Sequence, residues 1–297
     1  MKHTQNRTIK DKMGVFTWRS ILIPLIEKIG GKKYPKGMVK EFVYGELTDE
    51  CLDRIESSNE SSSTAIFHIH GGGWIAGSKG RFYSKPLMKF AQAGHPVFSI
   101  NYPLAPEYPH PQALHSLIKA LAWIKKHYPD FKEIHLIGDS AGGNLAMMLG
   151  IYLSNPELFR SFSSVNLETL PTIKSVVDIF GVNDRTTWVE EGFPSASLFM
   201  KAYASEAAIS PQFISESPLT PMDFEAFTHL PPTFIVGAGK DKLLRSSKIW
   251  AERITSRFTQ VEFKIYEGAE HGFFSFGKGS DELSEDMLIF FEKMTEQ

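Results

Sequence analysis

Cysteine is nearly absent from this 297-residue sequence, which limits the chemistry it can carry. Cys51 is the single cysteine, so an intrachain disulfide and a multi-cysteine metal site are both excluded. Such cysteine usage suits a reducing compartment, and we therefore expect a cytoplasmic location. No metal and no other cofactor is predicted.

The sequence also lacks a large charge imbalance and a long apolar run. Its 32 basic and 34 acidic side chains leave a net charge of −2, and this total gives no reason to expect nucleic acid or an anionic membrane as a partner. No stretch reaches the roughly 18 apolar residues of a membrane span, so none is predicted. With 42% hydrophobic and 22% charged residues, the composition is typical of a folded globular protein.

Residues 13–30 carry apolar side chains at helical spacing and are predicted to form an amphipathic helix. Pro24 lies inside this run and is expected to kink or break the helix. Arg19 and Glu27 interrupt the run and no small-residue cleavage site follows, so a signal peptide is not predicted. The apolar side of the predicted helix consists of Trp18, Leu22, Leu25, Ile26 and Ile29.

Short apolar strands alternate with helices from residue 64 onward, after an early edge strand at 41–47. This alternation predicts an α/β fold with a mostly parallel sheet covered on both faces. The further strands are predicted at 64–70, 95–102, 134–138, 175–180, 233–237 and 261–266, and the helices at 82–93, 112–127, 141–153, 244–258 and 282–294.

Residues 182–228 break the alternation. The segment is rich in Phe, Ser and Pro and contains a helix-like run from Ala196 to Ala208. We interpret it as an insertion over the carboxyl ends of the strands, where ligands bind in open α/β sheets. Its aromatic side chains predict either an aromatic-lined pocket or a small apolar core: Phe193, Phe199, Tyr203 and Phe213.

The motif GDSAGG, residues 138–143, follows the strand at 134–138 and begins a helix. A serine at a sharp strand-to-helix turn is the nucleophile elbow of serine hydrolases. Gly138 and Gly142 allow close backbone packing there, and the helix N-terminus offers free N–H groups to a developing negative charge. Ser140 is the candidate nucleophile, although an exposed turn serine would give the same short pattern.

A serine nucleophile needs a base, and the base needs an acid that orients it. Asp241 and His271 each follow a predicted strand, in the chain order Ser, Asp, His that this arrangement requires. Asp241 could instead cap the following helix, and His271 could be a solvated loop residue. Glu267 and Glu270 are alternative acids, ranked below Asp241 because they share the loop of His271.

The motif HGGGW, residues 70–74, follows the strand at 64–70 and predicts an oxyanion hole. Backbone N–H groups of a glycine loop can point at the developing oxyanion without interference from side chains. The N–H of Ala141, directly after the nucleophile, is expected to be a further donor. A flexible loop is the competing interpretation of the three glycines.

From about residue 64 to the C-terminus the chain resembles the hormone-sensitive lipase-like branch of the α/β-hydrolases, the bacterial esterases with an HGGG motif. Besides HGGGW and GDSAGG, the resemblance rests on the following matches: Tyr102, the run 104–107 (LAPE), Pro109, Pro111, the runs 217–219 (SPL) and 230–233 (LPPT), Asp241 with Leu243, and the run 271–273 (HGF).

The resemblance implies a single α/β-hydrolase domain over residues 1–297, with about eight strands and a small helical cap formed by residues 1–40 and 182–228. It implies Ser140, Asp241 and His271 as the catalytic triad. Gly72, Gly73 and Ala141 are then the oxyanion donors, with Gly71 as a further contributor. Trp74 and Asp139 flank these groups and are candidates for substrate contact, and His70 would shape the loop.

Four positions depart from the family pattern. Asn101 and Pro103 stand where the family often has Asp and Arg on either side of Tyr102. Arg245 stands four residues after Asp241 where the family often has Asp, and Ser116 stands at another frequent Asp. These departures leave the triad intact but put the salt bridges of these loops in doubt.

The predicted function is a serine carboxylesterase that acts on short-chain acyl esters, with a small-molecule ester as its partner. An arylformamidase-like amidase or a peptidase of the same fold is one alternative. A non-catalytic ligand-binding relative is another, although such relatives typically lose a triad residue. A homodimer is kept as an open prediction.

Overall fold

The computed structural model describes residues 8–30, 33–56, 60–210, 212–213 and 217–295. Within these ranges the chain forms one sheet of eight strands with helices on both faces. The predicted α/β class and the predicted strand number are therefore confirmed. Parts of the two predicted cap segments, at 1–7, 31–32, 211 and 214–216, lie outside the described residues, as does the side chain of Ile29.

The strands run in the spatial order β1-β2-β4-β3-β5-β6-β7-β8. The first two pairings, β1 with β2 and β2 with β4, are antiparallel, and every later pairing is parallel. The strands are β1 (Val39–Val43), β2 (Cys51–Ile55), β3 (Thr64–Ile69), β4 (Val97–Ile100), β5 (Glu133–Asp139), β6 (Thr172–Ile179), β7 (Thr233–Ala238) and β8 (Val261–Tyr266).

Ten α-helices accompany the sheet in the described part of the chain. They are α1 (Ile9–Thr17), α2 (Ile23–Gly30), α3 (Ser84–Gln92), α4 (Gln112–His127), α5 (Ala141–Ser154), α6 (Pro156–Phe162), α7 (Arg185–Glu191), α8 (Ala196–Tyr203), α9 (Leu244–Thr255) and α10 (Ser280–Thr295).

Two apolar cores lie on opposite faces of the sheet because side chains along a strand alternate between faces. Phe67 and Leu136 point into the core shared with α4, α5 and α9, while Ile66 and Ile137 point into the core shared with α3 and α10. Helix α5 is apolar all round and buried along nearly its whole length, as expected of a helix enclosed by protein.

The order of the strands reverses between β3 and β5. From β3 the chain moves outward to β4 and then returns to the other side of β3 with β5. Loops that leave the carboxyl ends of such neighbouring strands diverge and leave a crevice between them. Both sequence motifs, HGGGW after β3 and GDSAGG after β5, are therefore located at this crevice.

The N-terminal helix is interrupted, as its proline predicts, but by a change of helix type. A π-helical segment, Trp18–Leu22, joins α1 to α2, and the Ile23 N–H bonds to the Trp18 carbonyl five residues back. Pro24 follows directly and lacks the N–H that a regular α-helix would use at that position. The wider π turn accommodates this missing donor.

One predicted strand has different bounds in the structure, and three elements were missed. The early strand lies at 39–43 instead of 41–47, and β2, α6 and α7 were not predicted at all. Strand β2 carries Asp53 and Arg54, whose charges mask its burial pattern in the sequence. Both are almost fully buried because Lys79 pairs with Asp53 at 2.5 Å, and because Arg54 pairs with Glu56 and Glu60 while its guanidinium lies over the Tyr128 ring.

Candidate active site

Ser140 occupies a strained turn between β5 and α5. Its backbone angles, φ 55° and ψ −119°, are rarely adopted by a residue with a side chain. The turn is tight: a Cβ on Gly138 would lie 2.3 Å from the Gly142 carbonyl oxygen, and one on Gly142 would lie 2.1 Å from that of Ile69. Glycine is therefore required on both sides of the serine, as the motif predicts.

The structure brings the three predicted triad residues together. His271 Nε2 lies 3.0 Å from Ser140 Oγ, and His271 Nδ1 lies 2.7 Å from Asp241 Oδ2. The side chain of Asp241 is fully buried, and its other oxygen accepts the Leu243 N–H at 2.9 Å. Asp241, and not Glu267 or Glu270, is thus the carboxylate that holds the imidazole.

Two backbone contacts align the loops that carry the base and the acid. The Lys240 N–H donates to the Ala269 carbonyl, and the Gly239 N–H donates to the Tyr266 carbonyl. Two phenylalanine rings, Phe180 and Phe193, contact the imidazole with ring centres 4.8 Å away in each case. The position of His271 is therefore fixed by ring packing and by the pairing of the two loops, in addition to its own hydrogen bonds to Ser140 and Asp241.

The HGGGW loop lies beside Ser140 in a conformation that needs glycine. Gly72 and Gly73 have φ angles of 113° and 61°. A Cβ on Gly72 would lie 2.1 Å from the Ala76 carbonyl oxygen, and one on Gly73 would lie 2.5 Å from the Phe199 ring. The ordered packing replaces the flexible-loop interpretation, and the N–H groups of Gly72, Gly73 and Ala141 are the candidates for oxyanion donors.

Gly71 has a different environment from its two neighbours. Its N–H donates to Tyr83 Oη at 2.9 Å and to Asp139 Oδ1 at 3.0 Å. This engagement argues against Gly71 as a direct oxyanion donor. Asp139 is buried, which raises the pKa of its carboxyl to about 6, and it lies on the cavity wall while it holds the loop.

His70 and Trp74, at the two ends of the loop, are both packed into the protein. Burial lowers the pKa of His70 to about 4, and its Nδ1 donates to the Gly71 carbonyl at 2.7 Å while its ring stacks on Tyr102. Trp74 is 1% exposed and stacks on Tyr203 at 4.2 Å. Trp74 thus packs beneath the glycine loop and supports it. Its side chain is not among the described residues that line the cavity, so the structure does not support direct contact with substrate.

A cavity of about 340 Å³ opens over Ser140 and His271. Aromatic and aliphatic side chains form most of its wall, and they come from the N-terminal helices, from the loop after β3, from α7–α8 and from the loop after β8. They are Trp18, Ile23, Ile26, Phe82, Tyr83, Trp188, Phe193, Phe199 and Phe276. Of the four aromatics predicted to line a pocket or to form a small core, Phe193 and Phe199 line the cavity, whereas Tyr203 packs on Trp74 and Phe213 lies under the Arg185 guanidinium.

Arg19 connects the N-terminal helices to the loops around the site and was not identified from the sequence. Its Nε donates to the Ile75 carbonyl at 2.8 Å and its Nη2 to the Ala105 carbonyl at 2.6 Å. The same guanidinium pairs with both carboxylate oxygens of Glu107, at 3.0 and 3.1 Å. Only the folded chain reveals this role, because these partners lie between 56 and 88 residues away in sequence.

Two of the departures from the family pattern have partners in the structure. The Ser116 hydroxyl donates to the buried carboxylate of Glu50 at 2.7 Å, so a neighbouring residue supplies the negative charge there. Arg245 pairs with Glu191 on α7.

A serine at a strand-to-helix turn of a mostly parallel sheet, with an acid and a histidine on the following loops, defines an α/β-hydrolase. The chain belongs to the alpha/beta hydrolase fold family, whose model matches residues 66–275. This match and the curated relative below confirm the resemblance to the hormone-sensitive lipase-like branch.

Known proteins match most of this chain in sequence or in structure. "Lipase 2" of Moraxella sp. (strain TA144) is 29% identical over 265 residues, which cover 77% of this chain and 59% of that protein. The chain thus spans less than two thirds of the length of that relative. Esterase B of Lactobacillus rhamnosis superposes with a TM-score of 0.80 at 18% identity, over 97% of this chain and 96% of its own. The hyperthermophilic esterase of the archaeon Pyrobaculum calidifontis gives 0.71 at 22% identity, over 97% and 94%.

Proposed function

We propose that this protein is a serine carboxylesterase that hydrolyses short-chain acyl esters through an acyl-enzyme intermediate. The observation that carries the proposal is the chain of hydrogen bonds from Ser140 to His271 to Asp241 beneath an apolar cavity. The names of the relatives, a lipase and two esterases, point to the same bond type.

The first half-reaction forms the acyl-enzyme. Ser140 Oγ attacks the ester carbonyl carbon while His271 Nε2 takes the hydroxyl proton, and Asp241 holds the imidazole and stabilises its positive charge. The N–H groups of Gly72, Gly73 and Ala141 donate to the oxyanion, each donor contributing about 2.7–4 kcal/mol to transition-state stabilisation. The intermediate collapses, and the alcohol leaves with the proton from His271.

The second half-reaction repeats these steps with water. His271 Nε2 takes a proton from a water molecule, whose oxygen attacks the acyl carbon bound to Ser140 Oγ. The tetrahedral intermediate again places its negative charge on the same backbone donors. Its collapse releases the carboxylic acid and returns the proton to Ser140.

The cavity favours short acyl groups. Its volume of about 340 Å³ is at the lower end of the range for ligand sites, and bulky rings form much of its wall.

The N-terminal segment and residues 182–228 jointly cover the site, since Trp18 of the first touches Phe199 of the second at 5.2 Å between ring centres. We therefore propose that these two segments form the cap of a single hydrolase domain. A cytoplasmic location and a homodimer stay predictions.

The test is hydrolysis of p-nitrophenyl esters from acetate to palmitate by the wild type and by Ser140→Ala. We expect turnover to be highest on the shortest chains and to fall by at least about a thousandfold in the variant. Unchanged turnover in Ser140→Ala would refute the proposal. N-formylkynurenine and an anilide in the same series would reveal an amidase if they match the esters, and a fluorophosphonate probe that fails to label Ser140 would indicate a binding protein.

A further inference from the structure

The small net charge of the chain conceals an uneven distribution. Ten of its 32 lysines and arginines, but only two of its 34 acidic residues, lie within residues 1–40. This segment is therefore strongly positive, whereas the remainder of the chain is negative. Six of its lysine side chains are exposed in the described residues, and one of them, Lys40, pairs with Glu56. The other five are Lys10, Lys12, Lys28, Lys33 and Lys36.

The same segment exposes most of the large apolar side chains that the described residues leave in contact with solvent. Ile9, Met13 and Phe16 follow one another at helical spacing on α1, and they are 78%, 65% and 62% exposed. Ile21 and Leu25 continue the series and are more than half exposed. The π-helical segment between them holds more residues per turn than an α-helix, which turns Ile21 and Leu25 toward the side of the first three. We call these five residues the outer apolar face.

The outer apolar face is not required for packing inside the protein, because the opposite side of the segment already supplies those contacts. Val15 is buried, and a Cβ on Gly14 would lie 2.7 Å from the Leu198 side chain. Trp18, Ile23 and Ile26 line the cavity over Ser140. The segment is thus apolar on two sides, and its inner side alone closes the site.

We propose that the outer apolar face docks on an anionic phospholipid membrane surface. A helix with exposed aromatic and aliphatic residues and flanking lysines is suited to lie in the interface of a bilayer, with its apolar side chains below the headgroups. Lysines near the surface are attracted to anionic lipids. Docking would hold the cavity next to the bilayer, where apolar esters concentrate.

A second copy of this chain is a poorer occupant of the same face. A two-fold symmetric interface places the same patch of both subunits together. Two strongly basic segments would then oppose one another, and like charges in contact repel. The charge of the segment therefore favours an anionic surface over self-association.

Vesicle co-sedimentation tests the proposal without reference to hydrolysis. Vesicles of phosphatidylcholine mixed with phosphatidylglycerol should bind the full-length protein, and binding should weaken as salt rises. Vesicles of phosphatidylcholine alone should bind at least about tenfold less. Absence of binding to the mixed vesicles, or equal binding to both kinds, would overturn the proposal.

Two pairs of variants locate the binding surface. Met13→Glu with Phe16→Glu should lower binding by at least about tenfold, whereas Ile289→Glu, at an apolar residue 51% exposed on α10, should not. Lys10→Gln with Lys12→Gln should also weaken binding, whereas Lys126→Gln with Lys248→Gln, at exposed lysines elsewhere, should leave it unchanged. Equal loss in test and control variants would contradict the assignment.

Two further measurements distinguish the alternatives. Circular dichroism and turnover of a water-soluble acetate ester should be the same in all four variants, which shows that they are folded. Light scattering after size exclusion reports on self-association. A dimer that the Met13→Glu and Phe16→Glu changes dissociate, without vesicle binding by the wild type, would assign the face to a second copy and overturn the membrane proposal.

Discussion

The carboxyl group of Asp139 accepts a hydrogen bond from the Gly71 N–H at 3.0 Å. This bond joins the two sequence motifs, since Asp139 immediately precedes the nucleophile and Gly71 begins the glycine loop. The same N–H also donates to Tyr83 Oη at 2.9 Å, and the Tyr83 side chain hydrogen-bonds to the Asp139 carboxyl group. The loop proposed to bind the oxyanion is thus fixed relative to Ser140 by a buried side chain.

Removal of this connection should lower the turnover number more than substrate affinity. We expect Asp139→Ala to lower kcat by about ten- to a hundredfold, because a hydrogen bond to a charged group contributes about 1.5–3 kcal/mol. Asp139→Asn keeps an oxygen acceptor and should retain most of the activity. Steady-state kinetics on p-nitrophenyl acetate measures both, and an Asp139→Ala variant with unchanged kcat would contradict this positioning role.

The fold was largely predictable because the strands that surround the site are apolar throughout. β3 and β5 read as buried strands, and the motifs that follow them identify their carboxyl ends. The missed strand β2 shows the limit of such patterns. Lys79, which is distant in sequence, pairs with Asp53, while Arg54 pairs with Glu56 and Glu60 and lies over the Tyr128 ring. The strand pattern alone does not show that these charges are compensated.

The residues of the candidate site also fall into two groups: those that the sequence identifies and those that only the structure reveals. Ser140, Asp241 and His271 were accessible to sequence reasoning because chain order and strand ends restrict the choice. Arg19 and Tyr83 were not, since each bonds to a backbone group of another segment, and backbone partners leave no trace in the sequence. Tertiary contacts alone reveal such supporting residues.

Gly73 and Phe199 should show a strong mutual dependence. The Cβ of Gly73→Ala would overlap the Phe199 ring, so the ring or the loop must move, and we expect kcat to fall by about tenfold or more. Phe199→Ala in the same chain removes the overlap and should restore part of the loss, which a double-mutant cycle measures.

Gly37→Ala is the control for backbone strain in that experiment. Its φ is +82° and no atom lies within 4 Å of a Cβ there. Both alanine substitutions should cost about 1–2 kcal/mol of stability from the left-handed backbone. If Gly37→Ala lowers kcat as much as Gly73→Ala, the contact with Phe199 is not the cause.

Arg19→Ala should lower both the unfolding free energy of the protein and its hydrolytic activity. The loss of three partners should cost about 1–3 kcal/mol of unfolding free energy, a range that allows for the partial exposure of Arg19 and Glu107. We expect kcat/KM to fall as well, since Trp18 lines the cavity and Ile75 follows the glycine loop. Arg160→Ala removes an exposed pair with Glu157 and should change neither property. Equal effects of the two variants would contradict the role of Arg19 in connecting the N-terminal segment to the loops around the site.

The pH dependence of stability should expose a second buried carboxyl group behind the nucleophile. Asp178 is fully buried beside Gly143 and Gly181, and it accepts the Asn183 amide at 2.6 Å. Burial raises the pKa of its carboxyl to about 7, from 3.8 in an exposed chain.

Because the folded pKa is the higher one, the folded state binds the additional proton between about pH 4 and pH 7. The contribution of Asp178 to the unfolding free energy must therefore fall as the pH rises through this window, whereas buried histidines such as His70, whose pKa is lowered to about 4, contribute in the opposite direction. Asp139, with its pKa of about 6, contributes in the same direction as Asp178.

Asp178→Asn should remove the contribution of this group while it keeps an oxygen for the Asn183 amide. Urea unfolding at pH 5 and pH 8 measures the change in unfolding free energy between the two pH values, and this change should be more positive in the variant than in the wild type by on the order of 2–4 kcal/mol, since one pKa unit corresponds to about 1.4 kcal/mol. At pH 8 the variant should be at least as stable as the wild type, because it no longer buries a charge. An identical pH dependence in both proteins would show that Asp178 is ionised in the folded state throughout this range.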